Sequence, residues 1–326
     1  MKQSETLNAA RPRVSVIVAA YNAASFLDRA VRSALDQTIA DLEVLVIDDC
    51  SSDDTFAVAE AMSRADARVR PLRTQRNSGP SVARNVGIEN ARGEWIAVLD
   101  ADDAFLSNRL RTLVELGESR AADIVADNFI FHSLTKQRAQ GMGLAESDAT
   151  EVLTLPRFLS GARPSGPEAD YGLLKPVFRA QFLRSTGMRY RIDSRHGEDF
   201  LMIIDCLSLG AKYLLTRRPG YLYTMRDSGQ SQTIVNYASV MAQSAALRDR
   251  PEFAADAEAL AMLENRIASI RRLAAERELH RGIGERDVVG LLSLCFKNRH
   301  AIPAAFRWGL RKGKLATPQK APQPAS

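Results

Sequence analysis

From Val14 the chain alternates short runs of β-branched and aliphatic residues with stretches whose apolar residues recur at helical spacing. This alternation restricts the fold more than any other feature, because strand–helix–strand units close only onto a parallel sheet. Strands are predicted at residues 14–19, 42–47, 69–72 and 95–99. They are apolar nearly throughout instead of at every second position, as strands covered on both faces are. Between the first two, Phe26, Leu27, Ala30, Val31, Ala34 and Leu35 form one apolar helical stripe. Ser51 or Ser52 is expected to cap the next helix. The series predicts an α/β fold with a mostly parallel, nucleotide-binding type of sheet flanked by helices.

Residues 137–172 interrupt the series with Gly141, Gly143, Pro164, Gly166 and Pro167, and are predicted to form a loop with a short helix at 153–159. A loop of that length commonly borders a site. A helix is expected at 197–209 and two short strands at 212–216 and 221–225. From Val240 the pattern is helical, ending at 306–315 with Arg307, Trp308, Arg311, Lys312 and Lys314. The expected organisation is a tail at 1–12, a main α/β domain at 13–235, a helical region at 236–315 and a disordered tail at 316–326.

The 326 residues are 45% hydrophobic and 25% charged, enough for one large domain and a smaller appendage. Basic residues are spread along the chain until its C-terminal stretch, so the net charge of +5 does not make nucleic acid the expected partner. Cys50, Cys206 and Cys295 lie far apart without zinc-ligand spacing, which fits a reducing cytosol. The first 13 residues lack the apolar run of a secretion signal, and no segment reaches the roughly 18 apolar residues of a membrane span. A soluble or membrane-surface protein of the cytoplasm is expected.

Four places carry candidate chemistry. Asp100, Asp102 and Asp103 follow the strand at 95–99, and carboxylates so close repel one another unless a cation such as Mg²⁺ or Mn²⁺ sits beside them. The alternative is a solvated turn capping a helix from Ser107. Asp48 and Asp49 end another strand, and open α/β sheets bind ligands at the carboxyl ends of their strands. A carboxylate there can accept from a base NH or a ribose hydroxyl; the alternative is a helix N-terminus favouring acids. Ala20, Tyr21 and Asn22 after the first strand offer an aromatic surface for a base. Residues 76–85 run from a glycine-containing loop into a helix bearing Arg84, an arrangement that favours anions.

The segments VSVIVAAYNAASFLDRAVRSAL, LEVLVIDDCSSDDT, RNSGPSVARNVGI and GEWIAVLDADD together resemble the inverting family 2 glycosyltransferases of GT-A fold, over residues 13–105. The resemblance divides the catalytic domain into a nucleotide-binding half at 13–105 and an acceptor-side half at 106–235. It implies that Tyr21 and Asp49 hold uracil, with Ala20 and Asn22 beside them, and that Arg84 sits by the nucleotide. Asp100 and Asp102 match the DxD-type motif, with Asp102 binding the Mg²⁺ or Mn²⁺ that bridges the donor diphosphate. Gly197, Glu198 and Asp199 are similar to the ED motif, making Asp199 the base on the acceptor side. Tyr223, Arg226, Ser228 and Ser231 resemble the region that closes over the diphosphate. Residues 172–176, with Arg195 and His196, are expected to shape the sugar and acceptor pockets, Lys175 being equally readable as a surface lysine.

With RPSGPEADYGLLKPVFR and GEDFLMIIDCLSLGAKYLL the likeness extends over most of 13–232, to the glucosyltransferases of succinoglycan-type exopolysaccharide synthesis. It implies UDP-glucose as donor and a lipid-linked oligosaccharide as acceptor. Two other readings stay open: a nucleotide-sugar-binding scaffold without turnover, and a metal-dependent sugar-phosphate phosphatase. The turn after the first strand, AAYNAAS, lacks the GxGxxG of a dehydrogenase, and no GxxxxGK[ST] of a P-loop enzyme occurs. The basic helix at 306–315 is a candidate peripheral contact with the inner membrane face, or else a solvated terminal helix.

Overall fold

A computed structural model describes residues 11–164, 166–194, 196–225 and 236–284. The predicted strands form where expected, as β1 (Val14–Ala20), β2 (Leu42–Asp48), β3 (Val69–Arg73) and β4 (Trp95–Asp100). β1 and β2 are buried almost throughout, the burial their nearly continuous apolar runs imply. Helices α1 (Ala24–Leu35), α2 (Thr55–Ala65) and α3 (Pro80–Asn90) connect them, and α1 buries Leu27, Ala30, Val31 and Ala34. The four strands pair in parallel in the order β3-β2-β1-β4, so all four carboxyl ends lie on one edge.

Beyond β4 come β5 (Ala104–Phe105), α4 (Arg109–Ser119), β6 (Ile124–Ser133), β7 (Arg138–Met142), β8 (Thr150–Leu153), α5 (Leu155–Gly161), β9 (Val177–Arg179) and α6 (Ala180–Thr186). There follow α7 (Glu198–Ser208), β10 (Tyr213–Met225), α8 (Tyr237–Ala246), α9 (Pro251–Ala254) and α10 (Ala257–Gly284). The described strands make one ten-stranded sheet, continuing from β4 through β9, β6 and β10 to β5. β9 runs antiparallel to both β4 and β6, so β6 and its parallel neighbour β10 point the same way as β1–β4. The carboxyl ends of β4 and β10 therefore share an edge.

Several expectations are corrected. Residues 137–172 are not a loop with one helix: β7 pairs with β6, and β8 with β10. The 212–216 and 221–225 strands are one strand, β10, whose pairing with β6 shifts register on either side of Pro219. A proline with no N–H to give the ladder reads in sequence as a break, whereas here it marks an irregularity. β6, missed in sequence, is the long central strand it pairs with. Neither Ser51 nor Ser52 caps α2, which begins at Thr55 after Asp54; Ser51 Oγ instead accepts from Asn22 N at 2.9 Å. The helix expected from Ser107 begins at Arg109.

The C-terminal helices pack on the part of the chain that follows β4. Arg266 of α10 is buried, donates to the carbonyl of Ala162, pairs with Asp170 at 3.1 Å and lies 3.8 Å from the Phe200 ring centroid in α7. The segments at 306–315 and 316–326, and most of the tail at 1–12, lie outside the described residues. Among the described residues, no helix is long and apolar enough to cross a membrane.

Candidate active site

The turns after β1 and β2 are laced together at the carboxyl edge of the sheet. Ala20 O accepts from Asp49 N at 2.8 Å, and Asn22 Oδ1 accepts from Ser52 N at 2.9 Å. Asn22 and Cys50 both hold positive φ, 48° and 59°, which turns the chain sharply at each strand end. Tyr21 is left 37% exposed at this edge, its ring free of the core. Asp49 is buried beneath the next loop, accepting from Ser78 N at 3.0 Å, Gly79 N at 2.7 Å and Thr74 Oγ1 at 2.9 Å. Gly79 adopts φ 92° immediately before Pro80 opens α3, a conformation open to glycine without a Cβ penalty.

Arg84 of α3 is turned into the fold, not out to solvent. It is 3% exposed and reaches three carboxylates: Asp100 Oδ1 at 2.8 Å, Glu198 Oε1 at 3.0 Å and Asp199 Oδ1 at 3.0 Å. Its guanidinium faces the Tyr190 ring at 5.2 Å. Asn85 fixes that tyrosine's backbone, donating to Tyr190 O and accepting from Tyr190 N, both at 2.8 Å. Burial opposes the charge on Arg84, but Asp199 and Asp100 outweigh it and raise its pKa well above the ordinary value.

Lys175, left out of the expected catalytic set, is the second cation of this cluster. It is 7% exposed, with Nζ 2.8 Å from Asp100 Oδ2 and 2.6 Å from Asp199 Oδ2. Burial disfavours its charge, yet Asp100 and Asp199 prevail and hold it well above the usual lysine range. Burial likewise works against ionised Asp100, and Lys175 and Arg84 overcome it, holding that carboxyl well below the usual range. The one sequence sign of Lys175 was its place between Leu174 and Pro176 in an otherwise apolar run.

The acidic turn after β4 sends its three carboxylates to different surroundings, which corrects the expectation of one cation-holding cluster. Asp100 faces Lys175 and Arg84. Asp103 turns inward, accepting from Tyr221 Oη and Thr224 N, each at 2.7 Å. Burial, then Asp100 and Asp102, raise the Asp103 pKa well above the carboxylate range. Asp102 stays partly exposed, and its backbone carbonyl accepts from Arg29, which also donates to Thr224 Oγ1. Among the described residues no three His, Cys, Asp or Glu side chains gather as a metal-binding group.

Glu198 and Asp199 open α7 directly after Gly197, whose φ of 80° suits glycine. Tyr223 packs against Phe129 and Phe131, with ring centroids 5.8 and 5.6 Å away. Burial pushes its phenol up to about 12. Arg226, Ser228 and Ser231, expected to close over the diphosphate, and Arg195 lie outside the described residues. Of the expected residues, the structure thus joins Arg84, Asp100, Glu198 and Asp199 in one cluster, with Asp102 two residues from Asp100.

Comparison with known proteins agrees with this architecture. The profile of the family described as "Glycosyl transferase family 2" matches residues 15–159. The succinoglycan biosynthesis protein ExoO of Rhizobium meliloti (strain 1021) is 35% identical over 304 residues, covering 91% of this chain and 86% of that one. Among solved structures, S. aureus TarS 1-349 in complex with UDP superposes with a TM-score of 0.60 at 18% identity, covering 91% of this chain and 92% of TarS 1-349. The mannosyltransferase PcManGT from Pyrobaculum calidifontis, in complex with GDP-Man and Mn²⁺, superposes with a TM-score of 0.55 at 18% identity over 92% of this chain and 87% of that one. At such identities the structural likeness speaks to the fold, which is of the GT-A type.

Proposed function

The chain belongs to glycosyl transferase family 2, and from that premise we propose that it moves a hexose, glucose first among candidates, from a UDP-sugar to an acceptor hydroxyl with inversion. The acceptor we propose is a lipid-linked oligosaccharide of exopolysaccharide synthesis, met at the cytoplasmic face of the membrane. The succinoglycan biosynthesis relative supports exopolysaccharide synthesis as the setting. The observation that carries the reading is the cluster in which Asp100 from the donor-side strand end and Asp199 from α7 share Lys175 and Arg84. It brings an acid of the β4 edge and an acid of α7 onto one pair of cations.

In this reading Tyr21 stacks on the uracil, with Ala20, Asn22 and Asp49 around it. Asp199 accepts the proton of the attacking hydroxyl as the anomeric carbon gains oxocarbenium character. Glu198 balances Arg84, and Tyr223 borders the diphosphate. Asp102 fits a divalent cation as ligand: it is a partly exposed oxygen donor at the strand edge, and Mg²⁺ or Mn²⁺ needs only one or two carboxylates when substrate phosphates complete its shell. Such an ion, when bound, supplies Lewis-acid stabilisation of the departing diphosphate.

The test offers UDP-glucose, UDP-galactose, UDP-GlcNAc and GDP-mannose with Mn²⁺ or Mg²⁺, and follows nucleotide release with and without a saccharide acceptor. Release of UDP from a UDP-sugar, faster with acceptor, is expected. Tight UDP binding without turnover on any donor would favour the scaffold reading, and inorganic phosphate release from a sugar phosphate would favour the phosphatase.

A further inference from the structure

Arg84 lies 3.0 Å from Glu198 and 3.0 Å from Asp199, so it does not distinguish the two neighbouring acids. Lys175 does: its Nζ meets Asp199 Oδ2 at 2.6 Å and also Asp100 Oδ2 at 2.8 Å. With Arg84 on Oδ1 and Lys175 on Oδ2, both oxygens of Asp199 are held and the plane of its carboxylate is set.

The lysine is itself held from behind. Its carbonyl accepts from buried Arg109, which pairs with buried Asp127 at 2.7 Å. The Arg109 guanidinium also lies over the rings of Phe105 and Tyr221, at 4.5 and 5.1 Å. This buried Arg109–Asp127 pair anchors the lysine's backbone, while Asp100 and Asp199 hold the ammonium at the end of its four-carbon stem.

Resting on the glycosyltransferase reading, we infer that Lys175 is a positioning residue that singles out Asp199 from Glu198 as the base and fixes its carboxylate toward the acceptor. A base displaced by about 1 Å loses on the order of a hundredfold in rate, so a residue that never touches the sugar can still set turnover. The charge balance agrees. Three carboxylates face two cations, and removing Lys175 leaves Asp100, Glu198 and Asp199 competing for Arg84 alone.

The experiment compares wild type, Lys175→Met, Lys175→Arg, Asp199→Asn and Lys175→Met/Asp199→Asn with the best UDP-sugar of the donor panel. Lys175→Met is expected to lower kcat about a hundredfold while changing donor KM and the calorimetric Kd for UDP less than about threefold. Lys175→Arg should recover part of the loss, and Asp199→Asn should add little in the Lys175→Met background, since groups acting as a unit are not additive. A raised donor KM with kcat kept would make Lys175 a donor contact and overturn the inference, as would full additivity of the two losses. Absence of turnover in the wild type would instead defeat the transferase reading, and the melting temperatures of the same variants then decide the pairing. A double variant that melts above the sum of the single losses supports it; strictly additive losses overturn it.

Discussion

Arg84 and Asp199 lie 3.0 Å apart although 115 residues separate them in the chain. The contact ties the helix after β3 to the first turn of α7, and with it the carboxyl edge of β1–β4 to the later half of the chain. Glu198, one residue earlier, accepts from the same arginine nitrogen at 3.0 Å. Burying one guanidinium among three carboxylates is stable only while all partners stay in place.

Asp199→Asn keeps the size of the side chain but removes the proposed proton acceptor. Loss of a transition-state contact of this kind costs about 2.7 to 4 kcal/mol, so kcat is expected to fall roughly a hundredfold or more. Steady-state UDP release by the purified, folded variant measures it, and near-normal turnover would dismiss Asp199 as the base.

Chelation with EDTA is expected to abolish sugar transfer, and added Mn²⁺ or Mg²⁺ to restore it. Asp102→Ala should lower turnover about a hundredfold or more, and its residual activity should need higher metal concentrations. Activity indifferent to EDTA, or an unchanged metal titration in Asp102→Ala, would count against Asp102 as ligand.

Asp49 accepts from two backbone amides and a hydroxyl of the loop leading into α3. Hydrogen bonds to a charged group contribute about 1.5 to 3 kcal/mol each, so Asp49→Ala loosens this loop as well as the proposed uracil pocket. Calorimetric Kd for UDP is expected to rise by about tenfold or more. An unaltered Kd would place the base elsewhere.

The depressed pKa of Asp100 has a pH consequence with a definite sign. A carboxyl titrating lower in the folded than in the unfolded state adds stability above the unfolded value, about 3.9, and that stability is lost as pH falls toward the folded value. Asp100→Asn should therefore melt below wild type at pH 7, with the gap narrowing below about pH 4. Thermal melts across pH 3 to 7 check this, and a gap constant over that range would rule it out.

Much of residues 13–105 was legible in the sequence because it is written locally. Apolar runs set β1 to β4 within a residue or two, and parallel order sends their carboxyl ends, with Tyr21, Asp49 and Asp100, to one edge. The later half was less legible. The residues of β7 are exposed throughout, so its sequence carries no burial pattern, and Pro219 hid the continuity of β10.

What the sequence by itself determined was the chemistry available and its address on the strands: acids at the ends of β2 and β4, and an acidic pair opening α7. Tertiary structure alone decided which way each side chain turns. Asp103 went inward to Tyr221, Asp102 stayed partly exposed, and Lys175, readable as a solvent-exposed lysine, became the buried partner of Asp199. The reason is physical: strand and helix periods repeat over a few residues, whereas an ion pair between distant segments depends on how the whole sheet and its helices close around it.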